Sequence, residues 1–123
     1  MKHNPGFLAL VDDAKSRVKQ VDIDQYKTMP RKGHILIDTR EDTEWEKGHA
    51  EGAIHLSKGI IERDIEKAVP DTNAEIVLYC GGGFRSALAT DNLQKMGYTN
   101  VWSMDGGFRG WNAAGGEVVH DAK

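Results

Sequence analysis

The sequence predicts an α/β fold with a mostly parallel central sheet and helices on both faces of that sheet. Two observations support this prediction. Short runs of apolar and β-branched residues alternate with segments whose apolar residues recur at helical spacing. Glycine or proline stands at most of the junctions between them. Strands that alternate with helices pair in parallel, and ligands then bind beyond the carboxyl ends of the strands.

The first part of the chain is predicted to contain two helices. Residues 7–18 place their apolar side chains on one face of a helix. A short helix is predicted over residues 24–28, for which Asp22 or Asp24 is a candidate N-cap. Pro30 and Gly33 then break the chain.

The middle of the chain is predicted to alternate strands with helices. An apolar run that ends in a carboxylate is typical of a buried strand, and isoleucines at helical spacing indicate a helix. Gly48 and Pro70 provide the stops. The predicted elements are a strand over 34–38, a short helix over 41–47, a strand over 53–56 and a helix over 59–68.

The strongest strand signal covers residues 75–79, which are rich in β-branched side chains and lead directly into Cys80. A glycine loop follows, and a helix is predicted over 85–96 because Gly97 then ends it. A strand over 100–104 and a short helix through Trp111 complete the prediction. Cys80 therefore stands where this architecture places its ligands.

Length and composition limit the function. With 123 residues, the chain is expected to form a single domain over residues 20–123, preceded by an amphipathic helical extension over residues 1–19. A net charge of −3 with interleaved signs argues against a nucleic-acid or membrane partner. We expect a cytoplasmic protein, since no signal-peptide pattern is present. The sequence leaves the oligomeric state open.

The loop after the strongest strand carries the chemistry, and it reads Cys80-Gly81-Gly82-Gly83-Phe84-Arg85-Ser86. Three successive glycines allow positive φ angles, so that backbone N–H groups can surround the sulfur. The start of the next helix adds the positive end of its dipole, and Arg85 adds a planar donor for an oxyanion. These surroundings favour a nucleophilic thiolate. The alternative is a turn around a small, inert, buried cysteine.

Four short segments match family motifs in a fixed order. They are Ile37-Asp38-Thr39-Arg40-Glu41, Gly48-His49-Ala50-Glu51-Gly52-Ala53 with Trp45 before it, the cysteine loop, and Gly106-Gly107-Phe108-Arg109-Gly110-Trp111. Together they resemble the rhodanese homology family, whose active-site pattern Cys-x-x-Gly-x-Arg is met by Cys80, Gly83 and Arg85. The resemblance covers roughly residues 20–118 and leaves the first helix outside.

This resemblance implies a rhodanese-like fold and a sulfurtransferase. Cys80 would take sulfane sulfur from thiosulfate or a small persulfide and pass it, as a persulfide, to a thiol or a protein acceptor. No metal and no organic cofactor would be required. The residues implied to bind the substrate are Gly81, Gly82, Gly83, Phe84, Arg85 and Ser86.

The other candidate residues are predicted to support the site. Asp38 and Arg40 are expected to have a structural role rather than to contact substrate, because a carboxylate at a buried strand end caps a turn or pairs with a base. His49 is expected to hydrogen-bond within its own turn, since an ionised cysteine needs no general base. Glu44 is assigned to a solvated helix face. Phe84 is equally suited to line the mouth of a pocket or to pack in the core.

Two other functions remain open. A cysteine-dependent phosphatase or arsenate reductase of related fold would use the same two residue types, but the loops of the related phosphatases are one residue longer than the four residues between Cys80 and Arg85. A partner-dependent sulfur carrier or a non-catalytic interaction module is the second alternative. The first helix is expected to pack on the domain and to be dispensable for chemistry.

Overall fold

The computed structural model describes residues 3–29 and 33–120. Within these ranges six helices and seven strands follow one another along the chain. In order they are α1 (Pro5–Lys15), β1 (Lys19–Val21), α2 (Ile23–Lys27), β2 (His34–Asp38), α3 (Asp42–Glu46), β3 (His49–Ala50), β4 (Ile54–His55), α4 (Ile61–Ala68), β5 (Glu75–Tyr79), α5 (Phe84–Lys95), β6 (Val101–Met104), α6 (Gly107–Ala113) and β7 (Val118–Val119).

The central sheet has the strand order β1-β6-β5-β2-β4, and each neighbouring pair is parallel. This confirms the predicted α/β class. The core has two layers because strand residues alternate between the faces. Ile76 and Leu78 of β5 pack with the isoleucines of α4 and with α5. Val77 and Tyr79 pack on the opposite face with Tyr26 of α2 and Trp111 of α6.

Several predicted boundaries agree closely with the structure. β2 and β5 coincide with the predicted strands over 34–38 and 75–79. Asp22 is the N-cap of α2: its carboxylate accepts a hydrogen bond from the Gln25 amide at 2.8 Å, and the Gln25 side chain accepts one from the Asp22 amide at 2.9 Å. Pro30, one of the two predicted chain breaks, lies outside the described residues.

The structure also contains three strands that the sequence did not predict. β1 lies at the edge of the sheet, and β3 and β7 form a separate antiparallel pair. The predicted helix over 7–18 ends earlier, at Lys15, because the chain turns to bring Lys19 opposite Trp102 of β6. The edge of the sheet therefore begins within the first twenty residues.

Helix α1 lies against α5. Val11 and Ala14 are its buried residues. Arg17 follows the helix and donates to the Asp91 carboxylate of α5 at 2.7 and 3.1 Å, and it also pairs with Asp13 at 2.8 Å. The hydrogen bonds from Arg17 lower the pKa of the largely buried Asp91. Apolar contact and an ion pair thus fix this helix on the domain. In the described part of the chain, no helix has the length and apolarity to cross a bilayer.

Candidate active site

Cys80 directly follows the central strand β5, and it is only 1% exposed. Its Sγ accepts hydrogen bonds from the backbone amides of Gly83, at 3.2 Å, and Ser86, at 3.4 Å. These amides belong to the N-cap and first turn of α5, where helix N–H groups have no partner within the helix. The sulfur therefore takes the place of a capping side chain at the positive end of the helix dipole, which favours negative charge on Sγ.

The three glycines of the loop serve different purposes. Only Gly83 has a positive φ, of 99°, so the expectation of left-handed backbone was wrong for Gly81 and Gly82. These two positions need space instead. A Cβ at Gly81 would lie 3.2 Å from Nη2 of Arg85, and a Cβ at Gly82 would collide with the guanidinium of Arg109. Both glycines thus let arginine side chains lie directly over the loop.

Two buried hydroxyl groups continue from the sulfur into the core. Ser86 Oγ lies 3.7 Å from Sγ and 2.8 Å from Ser103 Oγ on β6. Both serines are fully buried. When the sulfur is anionic, Ser103 can donate to Ser86 and Ser86 to the sulfur. Sequence reasoning did not identify Ser103, because only the pairing of β5 with β6 brings this residue to the loop.

The start of α6 holds the loop from the other side. The Phe108 amide donates to the Cys80 carbonyl at 2.7 Å, and the Arg109 amide donates to the Gly81 carbonyl at 3.1 Å. Gly107 lies between these contacts with a φ of 53°. A Cβ there would collide with the Cys80 carbonyl and lie 2.9 Å from the Gly81 carbonyl oxygen. The second glycine-rich segment therefore positions the backbone of the cysteine loop.

Arg85 is held by a carboxylate from α3. Its guanidinium donates to the Glu44 carboxylate at 2.8 and 3.2 Å. Hydrogen bonding from Arg85 lowers the pKa of Glu44 to about 2, and the same contact raises the pKa of Arg85. The assignment of Glu44 to a solvated helix face was wrong, because this half-exposed side chain lines the site and pairs with Arg85.

Asp38 and Arg40 form part of a buried network at the end of β2. Asp38 accepts from the Arg40 guanidinium at 2.9 Å and from the Tyr79 hydroxyl at 2.7 Å. Arg40 also donates to the Gly48 carbonyl at 2.7 Å. Burial, together with the negative charge of Asp38, raises the pKa of Tyr79. The network ties the end of β2 to the residue that precedes Cys80.

His49 occupies the position expected for a residue that supports its own turn. Its Nδ1 lies 3.2 Å from the Trp45 carbonyl oxygen, and its ring stacks on the Trp45 indole. His55 stacks on the same indole, and its Nε2 lies 2.7 Å from the Arg40 carbonyl oxygen. His49 is not among the residues that line the cavity at Cys80.

A cavity of about 600 Å³ opens above the sulfur. Arginines and aromatic rings dominate its walls, and the loop forms its floor. The lining residues are His3, Phe7, Arg40, Glu44, Cys80, Gly81, Gly82, Phe84, Arg85, Phe108 and Arg109. Phe84 therefore lies at the cavity rather than in the core. Among the described residues, no group of three or more His, Cys, Asp or Glu side chains converges as a metal site.

Five of these lining residues were not predicted as site residues: His3, Phe7, Glu44, Phe108 and Arg109. Phe108 and Arg109 lie inside a recognised glycine motif, so their position in the sequence was a usable signal. His3 and Phe7 had no such signal. The sequence had suggested that the first helix is dispensable for chemistry, whereas the structure brings Phe7 of α1 to the same cavity as Cys80.

One family model and several curated proteins are similar to this chain over most of its length. A family model described as the Rhodanese-like domain matches residues 22–114. A thiosulfate sulfurtransferase GlpE of Pseudomonas entomophila is 32% identical over 98 residues, which cover 80% of this chain and 88% of that protein. A GlpE of Haemophilus influenzae is 34% identical over 93 residues, covering 76% of this chain and 87% of that protein.

Solved structures agree on the fold. A protein of unknown function from Rhodopseudomonas palustris, described as a possible tyrosine phosphatase, has a TM-score of 0.84 and 27% identity, and the match covers 97% of this chain and 98% of that one. An Escherichia coli rhodanese with anions has a TM-score of 0.63 and 31% identity over 72% of this chain and 99% of that one. The first match is long enough to include α1.

Proposed function

The chain belongs to the rhodanese-like domain family and is a rhodanese-type sulfurtransferase, and from this premise we propose that Cys80 carries the transferred sulfur as a persulfide. The observation that supports this role most directly is the position of Sγ. It accepts hydrogen bonds from two backbone amides at the N-terminus of α5 and lies on the floor of an arginine-lined cavity. Cys80 is also the single cysteine of the chain.

In the proposed first step, the Cys80 thiolate attacks the outer sulfur of thiosulfate. A new S–S bond forms to Sγ, the S–S bond of the donor breaks, and sulfite leaves with the electron pair. The Gly83 and Ser86 amides then stabilise the anionic persulfide by donating hydrogen bonds to it. The donors of an oxyanion hole stabilise the negatively charged oxygen of a reaction intermediate in the same way. The thiolate is the attacking species, so no separate general base is needed.

In the second step, an acceptor attacks the outer sulfur of the persulfide. A thiolate acceptor becomes a persulfide itself, cyanide becomes thiocyanate, and Sγ recovers its electron pair. We propose a small thiol or a protein thiol as the acceptor, and we place the reaction in the cytoplasm, where thiols are kept reduced. A donor that is itself a small persulfide would react by the same first step.

The neighbouring residues take separate roles in this proposal. The loop glycines and Ser86 bind the sulfur, and Arg85 attracts the oxygen atoms of the anionic donor. Asp38 and Arg40 pair with each other and support the end of β2 beside the loop. His49 supports its own turn.

A phosphatase is the second candidate, because the similar Rhodopseudomonas palustris protein is described as a possible tyrosine phosphatase. Two features favour sulfur transfer. Only four residues separate Cys80 from Arg85, so the ring of loop amides is small. In addition, the Gly83 and Ser86 amides already point at Sγ, which suits a charge on sulfur more than a bulky tetrahedral phosphate.

A comparison of substrates tests the proposal. We expect the wild-type protein to form thiocyanate from thiosulfate and cyanide, and to release no phosphate from aryl phosphates under the same conditions. The first product is measured colorimetrically, and the second by inorganic phosphate. Efficient phosphate release without any sulfur transfer, from thiosulfate or from a small persulfide, would replace this proposal with the phosphatase.

The pairing of Arg85 with Glu44 leads to opposite effects of two substitutions. Arg85→Ala removes the cation and leaves a carboxylate facing the donor, so the KM for thiosulfate should rise roughly 10-fold or more, as expected for loss of a charge-assisted hydrogen bond. Glu44→Gln releases Arg85 and removes a negative charge, so KM should fall several-fold. Initial rates measure both effects, and thermal unfolding is the control. Loss of stability without any change in KM would make Arg85 a structural residue.

The depressed pKa of Glu44 also sets a pH dependence. Because this pKa is lowered to about 2 by Arg85, Glu44 remains ionised at every pH well above that value. The KM difference between wild type and Glu44→Gln should therefore stay constant from about pH 5 to about pH 9. The ion pair contributes fully to stability above the pKa of Glu44 in the unfolded chain, which is about 4.3. This contribution is lost as the pH falls through the lower pKa of Glu44 in the folded protein.

A further inference from the structure

The chain before residue 22, where the family match begins, contributes side chains to the cavity at Cys80. His3 and Phe7 come from this segment and meet Phe84 of the cysteine loop. The His3 and Phe84 rings pack edge to face with centroids 4.5 Å apart, and Phe7 lies 6.2 Å from Phe84 in the same edge-to-face arrangement. We call His3, Phe7 and Phe84 the aromatic wall.

The aromatic wall is held in place by packing and by charge. Val11 and Ala14 bury one face of α1 against the domain, and Arg17 pairs with Asp91 of α5. The Lys15 ammonium lies over the Phe84 ring, 5.0 Å from its centroid. Since α5 begins at Phe84, the helix that carries the cysteine loop also anchors the wall.

Because the Cys80 sulfur is buried, the part of a donor that lies next to the aromatic wall is not the part that reacts. Cys80 is 1% exposed, so only the terminal sulfur atom of a donor reaches Sγ. The remainder of the donor occupies the cavity of about 600 Å³, which lies in the size range of sites for organic ligands, about 300–1,000 Å³. An inorganic anion such as thiosulfate fills little of this space and leaves the aromatic wall without a contact.

A cationic side chain in the cavity lining, at the loop glycines, complements the aromatic wall. Arg109 is exposed, its Nε lies 3.4 Å from the Gly81 carbonyl oxygen, and no carboxylate of the described residues lies within ion-pair distance of it. Phe108 lies beside it, stacked under the Arg40 guanidinium at 4.1 Å. A donor that fits this cavity therefore combines an apolar ring with a negative charge close to its transferable sulfur.

We propose that the aromatic wall makes this protein selective for organic sulfur donors. In such a donor, one anionic group carries both the transferable sulfur and an apolar, preferably aromatic, substituent. This inference rests on the proposed transfer of sulfur to Cys80. With an arenethiosulfonate, the Cys80 thiolate attacks the outer sulfur, the S–S bond of the donor breaks, and the arenesulfinate leaves with the electron pair. The charge and the number of sulfur atoms are the same on both sides of this step.

A pair of donors with the same reactive group tests the proposal. Benzenethiosulfonate and methanethiosulfonate differ only in their organic group, and the ratio of their kcat/KM values reports its recognition. We expect Phe7→Ala to lower this ratio about 10-fold, the loss expected for an aromatic contact. Leu10→Ala is the matched control, because Leu10 lies on the same helix but is 57% exposed and does not line the cavity. It should leave the ratio unchanged.

Binding provides a second measurement that does not depend on turnover. Cys80→Ser protein should bind benzenesulfonate more tightly than methanesulfonate in calorimetry, and the addition of Phe7→Ala should remove the difference. Phe7→Leu, which keeps apolar volume, serves if the alanine variant fails to fold. Equal ratios in wild type and the Phe7 variants, together with equal binding of both sulfonates, would overturn the proposal. Absence of a sulfur adduct from every donor would instead overturn the sulfur transfer itself.

Discussion

Cys80→Ser is expected to abolish sulfur transfer completely. After treatment with thiosulfate and no acceptor, intact mass spectrometry of the wild-type protein should show a species heavier by one sulfur atom, and the serine variant should never acquire it. A serine hydroxyl is not ionised near neutral pH, so it cannot replace a thiolate as the nucleophile. Because Cys80 is the only cysteine, no other thiol can produce the adduct.

The controls for this experiment separate chemistry from access and folding. Cyanide should remove the added mass from the wild-type protein and restore the original thiol. Alkylation should show that reagents reach Cys80 in spite of its burial. The serine variant should unfold at a temperature close to that of wild type, since its hydroxyl oxygen can accept hydrogen bonds from the same two backbone amides. If alkylation succeeds and yet several sulfur donors leave no adduct, the persulfide mechanism is wrong.

Gly107→Ala is expected to have the second largest effect, although Gly107 contacts no substrate. Its φ of 53° disfavours any side chain, and a Cβ would press on the carbonyl groups of Cys80 and Gly81. Left-handed strain and overpacking together should lower the free energy of unfolding by about 2–5 kcal/mol. The same displacement moves the cysteine loop, so kcat/KM for thiosulfate should fall at least about 100-fold, as a shift of about 1 Å in a reacting group does.

Gly97→Ala is the matched control for Gly107→Ala. Gly97 also has a positive φ, of 105°, but nothing lies within 4 Å of the Cβ that alanine would add. This variant should therefore lose about 1–2 kcal/mol of stability through backbone strain and keep its activity. Denaturant unfolding and initial rates measure the two quantities. If both variants lose activity equally, the close approach of α6 to the cysteine loop has no part in catalysis.

The sequence predicted best what depends on local chemistry. The bounds of β5 and the position of Cys80 were predicted correctly, because a buried central strand is mostly apolar and the residue that follows it stands at the carboxyl end of the sheet. A structural role for Asp38 was predicted for a similar reason, since a carboxylate at the end of a buried strand requires a partner, and in the structure Arg40 provides it.

What the sequence did not predict depends on contacts between distant segments. β1 has a single buried residue, Val21, and becomes a strand only by pairing with β6. Glu44 resembles any charged residue on a short helix, and its function follows from Arg85, which is 41 residues away. Phe7 shows the same limit: its apolar character predicted packing, but the ring it meets belongs to the cysteine loop.

The position of β1 and α1 also determines when this protein can finish folding. β1 completes the sheet by pairing with β6, and Arg17 reaches across 74 residues to Asp91. Such non-local pairs close large loops and form slowly, and on the ribosome neither can form until α5 and β6 have left the exit tunnel. β1 and α1 are synthesised before the elements they contact and are thus among the last to dock, so a nascent chain has made its cysteine loop before the site above it is complete.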